Sequence, residues 1–146
     1  MLDKKDEKII TELVRDARQT SKQISRRTLI PITTVHNRVK RLEKNGIIKN
    51  YTVRLDDKRL GTISAYVMAT ADYKLLREKG TSQHEVITSL RGHPNVEYAG
   101  MLTGSFDIML KVRVKDISAL DEFVTKYLRN VEGIEKTQTM IVLNES

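Results

Sequence analysis

The sequence predicts an α+β protein. An N-terminal helix-turn-helix domain, winged-helix-like, is joined by a linker strand to a C-terminal ferredoxin-like βαββαβ domain. Three observations predict it. The first half carries three helical apolar periodicities separated by short breaks. The second half alternates strand-like and helix-like stretches in the order of a split βαβ sheet. The charge is also divided: residues 1–60 hold 16 Lys+Arg and 8 Asp+Glu, and the remaining residues hold 10 and 11, so the formal net charge of +7 on 146 residues comes from the first part. Such asymmetry points to a polyanion partner for the first part and a different task for the second. The expected division is 1–50 for the helix-turn-helix, 51–61 for the linker strand and 62–146 for the ferredoxin-like domain.

The first helix runs from Asp3 to Ala17, with Ile9, Ile10, Leu13, Val14 and Ala17 as its apolar positions. Asp3 suits its cap, and Asp6 and Glu7 suit the positive end of its dipole. Thr20-Ser21-Lys22-Gln23 is a capping box that opens the second helix at Ile24. Pro31 forces an extended conformation on Ile30 and turns the chain. The third helix spans about Ile32 to Asn45, with Ile32, Val35, Val39 and Leu42 inward, and Asn45-Gly46 stops it. Ile47 to Leu55 is β-branched and alternating and reads as a strand, either a wing or a linker leaving the domain.

Ser64 to Tyr73 reads as a strand with Ala65, Val67, Ala69 and Ala71 on one face. Lys74 to Gly80 reads as a loop or short helix. Thr81 or Ser82 caps a helix reaching Arg91, and Gly92-His93-Pro94-Asn95 turns the chain. Val96–Leu102 and Phe106–Val114 form a hairpin around Thr103-Gly104-Ser105. Asp116 caps a helix with Leu120, Phe123, Val124, Tyr127 and Leu128 inward, and Ile134 to Leu143 is the last strand. Helices on one face of such a sheet leave the other face in need of cover, and a second copy of the chain can supply it.

The outer face of the third helix carries the chemistry. Thr33, Thr34, His36, Asn37, Arg38, Lys40, Arg41 and Lys44 point away from its apolar stripe. Hydroxyls, an amide and an imidazole come first and cations later. This order suits a recognition helix that reads base edges near its N-terminus and holds phosphates along its flanks. Arg26 and Arg27 are further candidates for phosphate contact. In the second half, Gly104 offers backbone N–H groups to a carboxylate, Asp107 offers an acceptor to an ammonium, and Thr137 and Thr139 offer hydroxyls. These four are the candidate amino-acid effector site. Against that reading stands a plain hairpin turn with ordinary strand threonines.

The chain resembles the Lrp/AsnC family, also called feast/famine regulators. Leu2-Asp3, Asp6, Ile9, Leu13 and Asp16-Ala17-Arg18 resemble its first helix. Val35, Arg38-Val39, Leu42-Glu43, Gly46-Ile47-Ile48 and Tyr51 resemble its recognition helix and the strand that follows. Leu60-Gly61 resembles the linker exit, Thr103-Gly104-Ser105-Phe106-Asp107 the Gly-x-aromatic-Asp hairpin, and Gly133-Ile134, Thr137, Thr139 and Ile141-Val142-Leu143 the last strand. The resemblance implies a transcriptional regulator that binds palindromic double-stranded DNA as a homodimer. It also implies assembly into octamers or other multiples, and modulation by a small effector, usually an amino acid. Two departures stand out. Leu29 occupies the turn where the family often has Gly, and Pro31 the cap where it often has Ser. Thr33 or Thr34 is then expected to cap in its place.

Composition narrows the remaining classes. With no cysteine, thiol catalysis, disulfides and Cys-ligated zinc are excluded. His36, His84 and His93 have no partners at metal spacing, so neither metal nor cofactor is expected. No apolar run spans a bilayer and the first residues do not resemble a signal peptide, which makes the cytoplasm the expected compartment. No catalytic constellation appears. Two alternatives differ in kind. One is a sirohaem decarboxylase-like enzyme of the same architecture, disfavoured by the net −1 of the second part. The other is an architectural protein that coats DNA with little sequence preference, disfavoured by the base-reading groups of the third helix.

Overall fold

The computed structural model describes residues 1–144, so Glu145 and Ser146, at the end of the expected ferredoxin-like domain, lie outside the described residues. The chain divides into two compact units, Met1–Arg54 and the residues from Leu55 onward, and each is described by itself.

In the first unit, α1 (Lys4–Arg15), α2 (Ser21–Thr28) and α3 (Ile32–Lys44) pack around Ile9, Ile24, Ile30, Val35 and Leu42, all buried. The capping chemistry explains where α1 and α2 begin. Asp3 accepts from the backbone of Lys5 and Asp6, and the Asp6 side chain returns a bond to the Asp3 N–H. Thr20 and Gln23 make the same reciprocal pair for α2. Leu29 ends α2 in the left-handed region, at φ 57, with its side chain 89% exposed. A side chain in that conformation crowds the following carbonyl, which is why glycine favours it.

Pro31 precedes α3, and no side chain caps that helix. The expected cap by Thr33 or Thr34 does not form. Both residues already lie inside the helix, one and two positions past Ile32, where a cap side chain cannot fold back on the first turn. Ile32 and Val14, expected inward, are exposed, because the tight three-helix core closes over Val35 and Ile9 instead. Residues 49–56 pair in no strand among the described residues, although Tyr51, Val53 and Leu55 alternate with Thr52 and Arg54. Alternation gives a segment two faces, but a strand also needs a neighbour to hydrogen-bond, and the chain supplies none here. Asp57–Leu60 then form a short helix, α4, capped by Asp56.

The second unit is a four-stranded antiparallel sheet in the order β2-β3-β1-β4, with β1 (Ile63–Ala71), β2 (Val96–Met101), β3 (Ile108–Val114) and β4 (Ile134–Ile141). Between β1 and β2 lie α5 (Tyr73–Lys79) and α6 (Gln83–Arg91). Between β3 and β4, α7 (Ile117–Glu122) continues into a wider turn over Phe123–Tyr127 and a tight one over Leu128–Asn130. Ala65, Val67, Ala69 and Ala71 on β1 share their buried face with Ile108, Leu110 and Val112 on β3, and the helices cover that face through Leu76, Val86, Leu90, Leu120, Phe123 and Leu128. His93 packs against the rings of Phe123 and Tyr127 and closes one end of the core. The opposite face of the sheet carries Tyr66, Met68, Tyr98, Met109 and Met140, with Lys111 over the Tyr66 ring.

Candidate nucleic-acid interface and effector loop

The rotation of α3 about its axis decides which of its side chains can meet a partner. Each residue advances roughly 100° around an α-helix. With Val35 and Leu42 buried, Thr33, His36, Asn37, Lys40 and Lys44 fall on the opposite side and are exposed. None of these five makes a side-chain hydrogen bond or ion pair among the described residues. Two hydrogen-bonding groups able to match base edges, an imidazole and two ammonium groups are thus displayed in one row. Thr34 lies on the flank of the helix and is half-buried.

Arg38 and Arg41 have acidic partners that the sequence reading did not foresee. They lie on the flank of α3 that faces α1, and both are paired within the chain. Arg38 Nη1 donates to Asp3 Oδ1 at 2.6 Å and to Asp6 Oδ1 at 2.9 Å. Arg41 Nη2 donates to Asp6 Oδ1 at 2.9 Å and Oδ2 at 2.7 Å. Asp6 is fully buried, the Arg38 side chain is 19% exposed and that of Arg41 is 52% exposed. Burial alone pushes the Asp6 carboxyl up. The Asp3 N–H and the two guanidinium groups outweigh that cost and hold it below the usual carboxylate range. The Arg38 hydrogen bond, helped by backbone N–H groups, holds Asp3 at about 2. The sequence signal for this cluster was the i,i+3 spacing of Asp3 and Asp6 matched by that of Arg38 and Arg41.

The two arginines of α2 differ. Arg27 pairs with Glu12 at 3.2 Å, so it anchors α2 to α1. Arg26 is exposed and makes no such pair among the described residues.

In the sheet unit, the hairpin loop between β2 and β3 holds Gly104 at φ 123, exposed. Asp107 closes that loop with both of its carboxylate oxygens engaged. Its Oδ2 accepts from the Ala71 N–H at 2.8 Å and its Oδ1 from the Tyr73 hydroxyl at 2.7 Å. The Asp107 backbone N–H donates to the Ala69 carbonyl at 2.9 Å, and its carbonyl accepts from Gln83 Nε2 at 2.9 Å. Asp107 is therefore a brace between the loop, β1 and the starts of α5 and α6. The alternative weighed against ammonium binding was a hydrogen bond within the turn, and the carboxylate reaches beyond it to Ala71 and Tyr73. Thr137 and Thr139 lie opposite Ala69 and Val67 on the edge strand β4, on the helix-covered side of the sheet. Thr137 is half-buried and Thr139 exposed, because the helices cover the central strands more fully than this edge. Tyr73 and Gln83, which face Asp107, were not singled out from the sequence. The only sequence hint was their place just after the strand and at the first turn of the following helix.

Among the described residues, no group of three or more His, Asp or Glu side chains is arranged to hold a metal ion, and no helix is long and apolar enough to cross a membrane.

The sequence matches known families along almost its whole length. Residues 2–49 match the model described as winged helix-turn-helix DNA-binding, and residues 65–146 match the model described as Lrp/AsnC ligand binding domain. An uncharacterised HTH-type transcriptional regulator of Pyrococcus furiosus is 33% identical over 144 residues, covering 97% of this chain and 92% of that protein. A Neisseria meningitidis transcriptional regulator solved as a complex with L-Met superposes with a TM-score of 0.78 at 28% identity, over 99% of this chain and 92% of that one. LrpC of B. subtilis superposes with a TM-score of 0.75 at 28% identity, over 100% and 97% of the two chains.

Proposed function

Since the chain belongs to the Lrp/AsnC family of helix-turn-helix transcriptional regulators, we propose that it reads duplex DNA with the outward row of α3. Thr33, His36 and Asn37 meet base edges in the major groove, with Thr34 at the margin. Lys40, Lys44 and Arg26 meet phosphates. The observation that carries this reading is the row itself. Its polar groups are displayed and unpaired on a helix whose other side is fixed in the core, as direct readout requires. Arg38, Arg41 and Arg27 support the interface from behind, through Asp3, Asp6 and Glu12.

The protein acts as a homodimer or a multiple of it, closed over the open sheet face of Tyr66, Met68, Tyr98, Met109 and Met140. An apolar, aromatic face left bare by one-sided helices favours self-association. Its partners are DNA and itself, it works in the cytoplasm where that DNA lies, and it has no catalytic task of its own. A free amino acid modulates it at the hairpin loop. Gly104 offers backbone N–H groups to the carboxylate, and Thr137 and Thr139 lie on the edge strand beyond β1. The L-Met complex of the Neisseria relative supports an amino acid as the ligand class. An ammonium at Asp107 shares or displaces the hydrogen bond that the Tyr73 hydroxyl now makes to it.

The test is titration of the purified protein against its own upstream DNA and a scrambled duplex at two salt concentrations. A preference of about a thousandfold or more marks a sequence-specific regulator. Equal, strongly salt-dependent binding to both overturns the reading in favour of an architectural role, and absence of binding to either overturns it altogether.

A further inference from the structure

We infer that Asp6 is a positioning residue for DNA readout, a buried carboxylate that sets the rotation of the recognition helix by holding two of that helix's own arginines. The inference rests on the reading of α3 as the recognition helix and adds a residue on a different helix, remote from the proposed contact row.

The geometry supports this in three steps. First, the restraint is directional. Arg38 and Arg41 are three positions apart on α3 and so lie on one flank, and both reach the same carboxylate. Asp6 also accepts the Asp3 N–H at 3.2 Å, and Asp3 accepts Arg38 Nη1 through both of its oxygens. Each guanidinium donates through one terminal nitrogen, Arg38 Nη1 and Arg41 Nη2, and two such charge-assisted bonds converging on one buried carboxylate limit the rotation of the helix that carries them. Apolar contacts at Val35 and Leu42 hold α3 against the core, but they are non-directional and tolerate small rotations.

Second, the restraint sits beside the reading row. Asn37 is one step, roughly 100°, from Arg38, and Lys40 is one step from Arg41. A rotation that loosens the guanidinium groups from Asp6 carries Thr33 and Asn37 with it. Base-edge hydrogen bonds weaken steeply with angle, whereas a lysine on a long stem follows a phosphate through such a rotation.

Third, the cluster is neutral as a whole. Two carboxylates meet two guanidinium groups, so it adds nothing to the net positive field of the unit. Were these arginines placed only to attract DNA, a buried aspartate paired to both would defeat the purpose. Their pairing gives α3 a fixed azimuth and leaves non-specific attraction to Lys40, Lys44 and Arg26.

The test uses Asp6→Asn in the full chain, with two duplexes: one selected from a random pool by the unmodified protein, and one random. The amide keeps the shape and loses the charge, so Arg41 is released toward phosphates and Arg38 is left to Asp3 alone. Positioning predicts opposite shifts. Affinity for the selected duplex falls by about tenfold or more, while affinity for the random duplex rises and its salt slope steepens by about one unit. Both affinities rising together would reduce Asp6 to a charge effect and overturn the inference. Both falling together would make it a folding residue only and overturn it equally. Should Asp6→Asn fail to fold, Arg38→Lys retains the charge and loses the planar guanidinium that reaches Asp3 and Asp6 together. A lower preference for the selected duplex at unchanged random binding is then expected, and an unchanged preference overturns the inference. If the unmodified protein itself selects no sequence from the pool, it is the reading of α3 that fails.

Discussion

Tyr73 donates its hydroxyl to Asp107 Oδ1 at 2.7 Å, across 34 positions of sequence, and so ties the first residue of α5 to the loop that holds Gly104. The other carboxylate oxygen is taken by the Ala71 N–H. Tyr73 is thus the removable member of the brace, because its hydroxyl is exposed and the backbone bond is not lost with it. Tyr73→Phe is expected to speed amide exchange in residues 102–107 and to leave the strand amides of β1 protected. If an amino acid uses Asp107, the same variant binds it more tightly, which a thermal-shift titration with the common amino acids will register. Unaltered exchange in the loop contradicts the bracing role.

Leu29 bears the strain of the turn between α2 and α3. Its left-handed backbone costs roughly 1–2 kcal/mol for a non-glycine residue, and its exposed side chain returns little burial. Leu29→Gly relieves the strain and adds roughly 0.5–1 kcal/mol of chain entropy to the unfolded state. The expected net is a stabilisation of up to about 1 kcal/mol, read as a higher midpoint in urea at an unchanged slope. A lower midpoint means that the leucine makes a contact worth more than the strain.

Two glycines of the sheet unit predict opposite outcomes. A methyl group on Gly133, at φ 92, meets the buried Leu76 side chain, so Gly133→Ala combines backbone strain with overpacking and costs about 2–4 kcal/mol. The three atoms nearest to a methyl group on Gly100 all belong to the outer end of the half-exposed Tyr98 ring. Gly100→Ala therefore leaves the melting transition of the monomeric unit nearly unchanged. On the proposed pairing through the open sheet face, it displaces Tyr98 and weakens self-association, which sedimentation over a dilution series will measure.

Acid weakens the helix-turn-helix unit. Asp3 is held at about 2, against an ordinary value of 3.8, mainly by the Arg38 hydrogen bond. Asp6 is also lowered, in spite of its burial. Groups with depressed values favour the folded state above their unfolded value and lose that contribution as pH falls toward the folded one. Their stabilisation is thus complete above about pH 5 and is lost between there and about pH 2. Helical circular dichroism of residues 1–54, followed by backbone resonances, should decline in that window. In Asp6→Asn that decline should be shallower, since one of the two groups no longer titrates.

Much of the fold was legible because its signals are local. Asp3, Thr20 and Asp116 announce helix starts within three residues, and the alternation of Ala65, Val67, Ala69 and Ala71 marks a strand face by itself. Where the determinant is a distant partner, sequence reading fell short. Alternation over 47–55 predicted a strand, yet pairing depends on a neighbour that no local pattern reports. Arg38 and Arg41 read as surface cations because Asp6 lies 32 and 35 positions away. Tyr73 and Gln83 carried no motif of their own and became meaningful only when the fold brought Asp107 to them. In the candidate site the outward row of α3 follows from helical period alone, whereas the roles of its flank needed three dimensions.

The two apolar clusters have a consequence for how the molecule can change. Ile9, Ile24, Ile30, Val35 and Leu42 form one, and the residues around Val67, Leu90 and Leu110 form the other, with no member in common. A substitution within either core therefore spends its damage locally. The helix-turn-helix unit can change its surface while the sheet unit keeps its packing, and the sheet unit can change its surface without repacking α3. A chimera exchanged near residues 54 and 55 should inherit the sequence preference of one parent and the chemical vocabulary of the other.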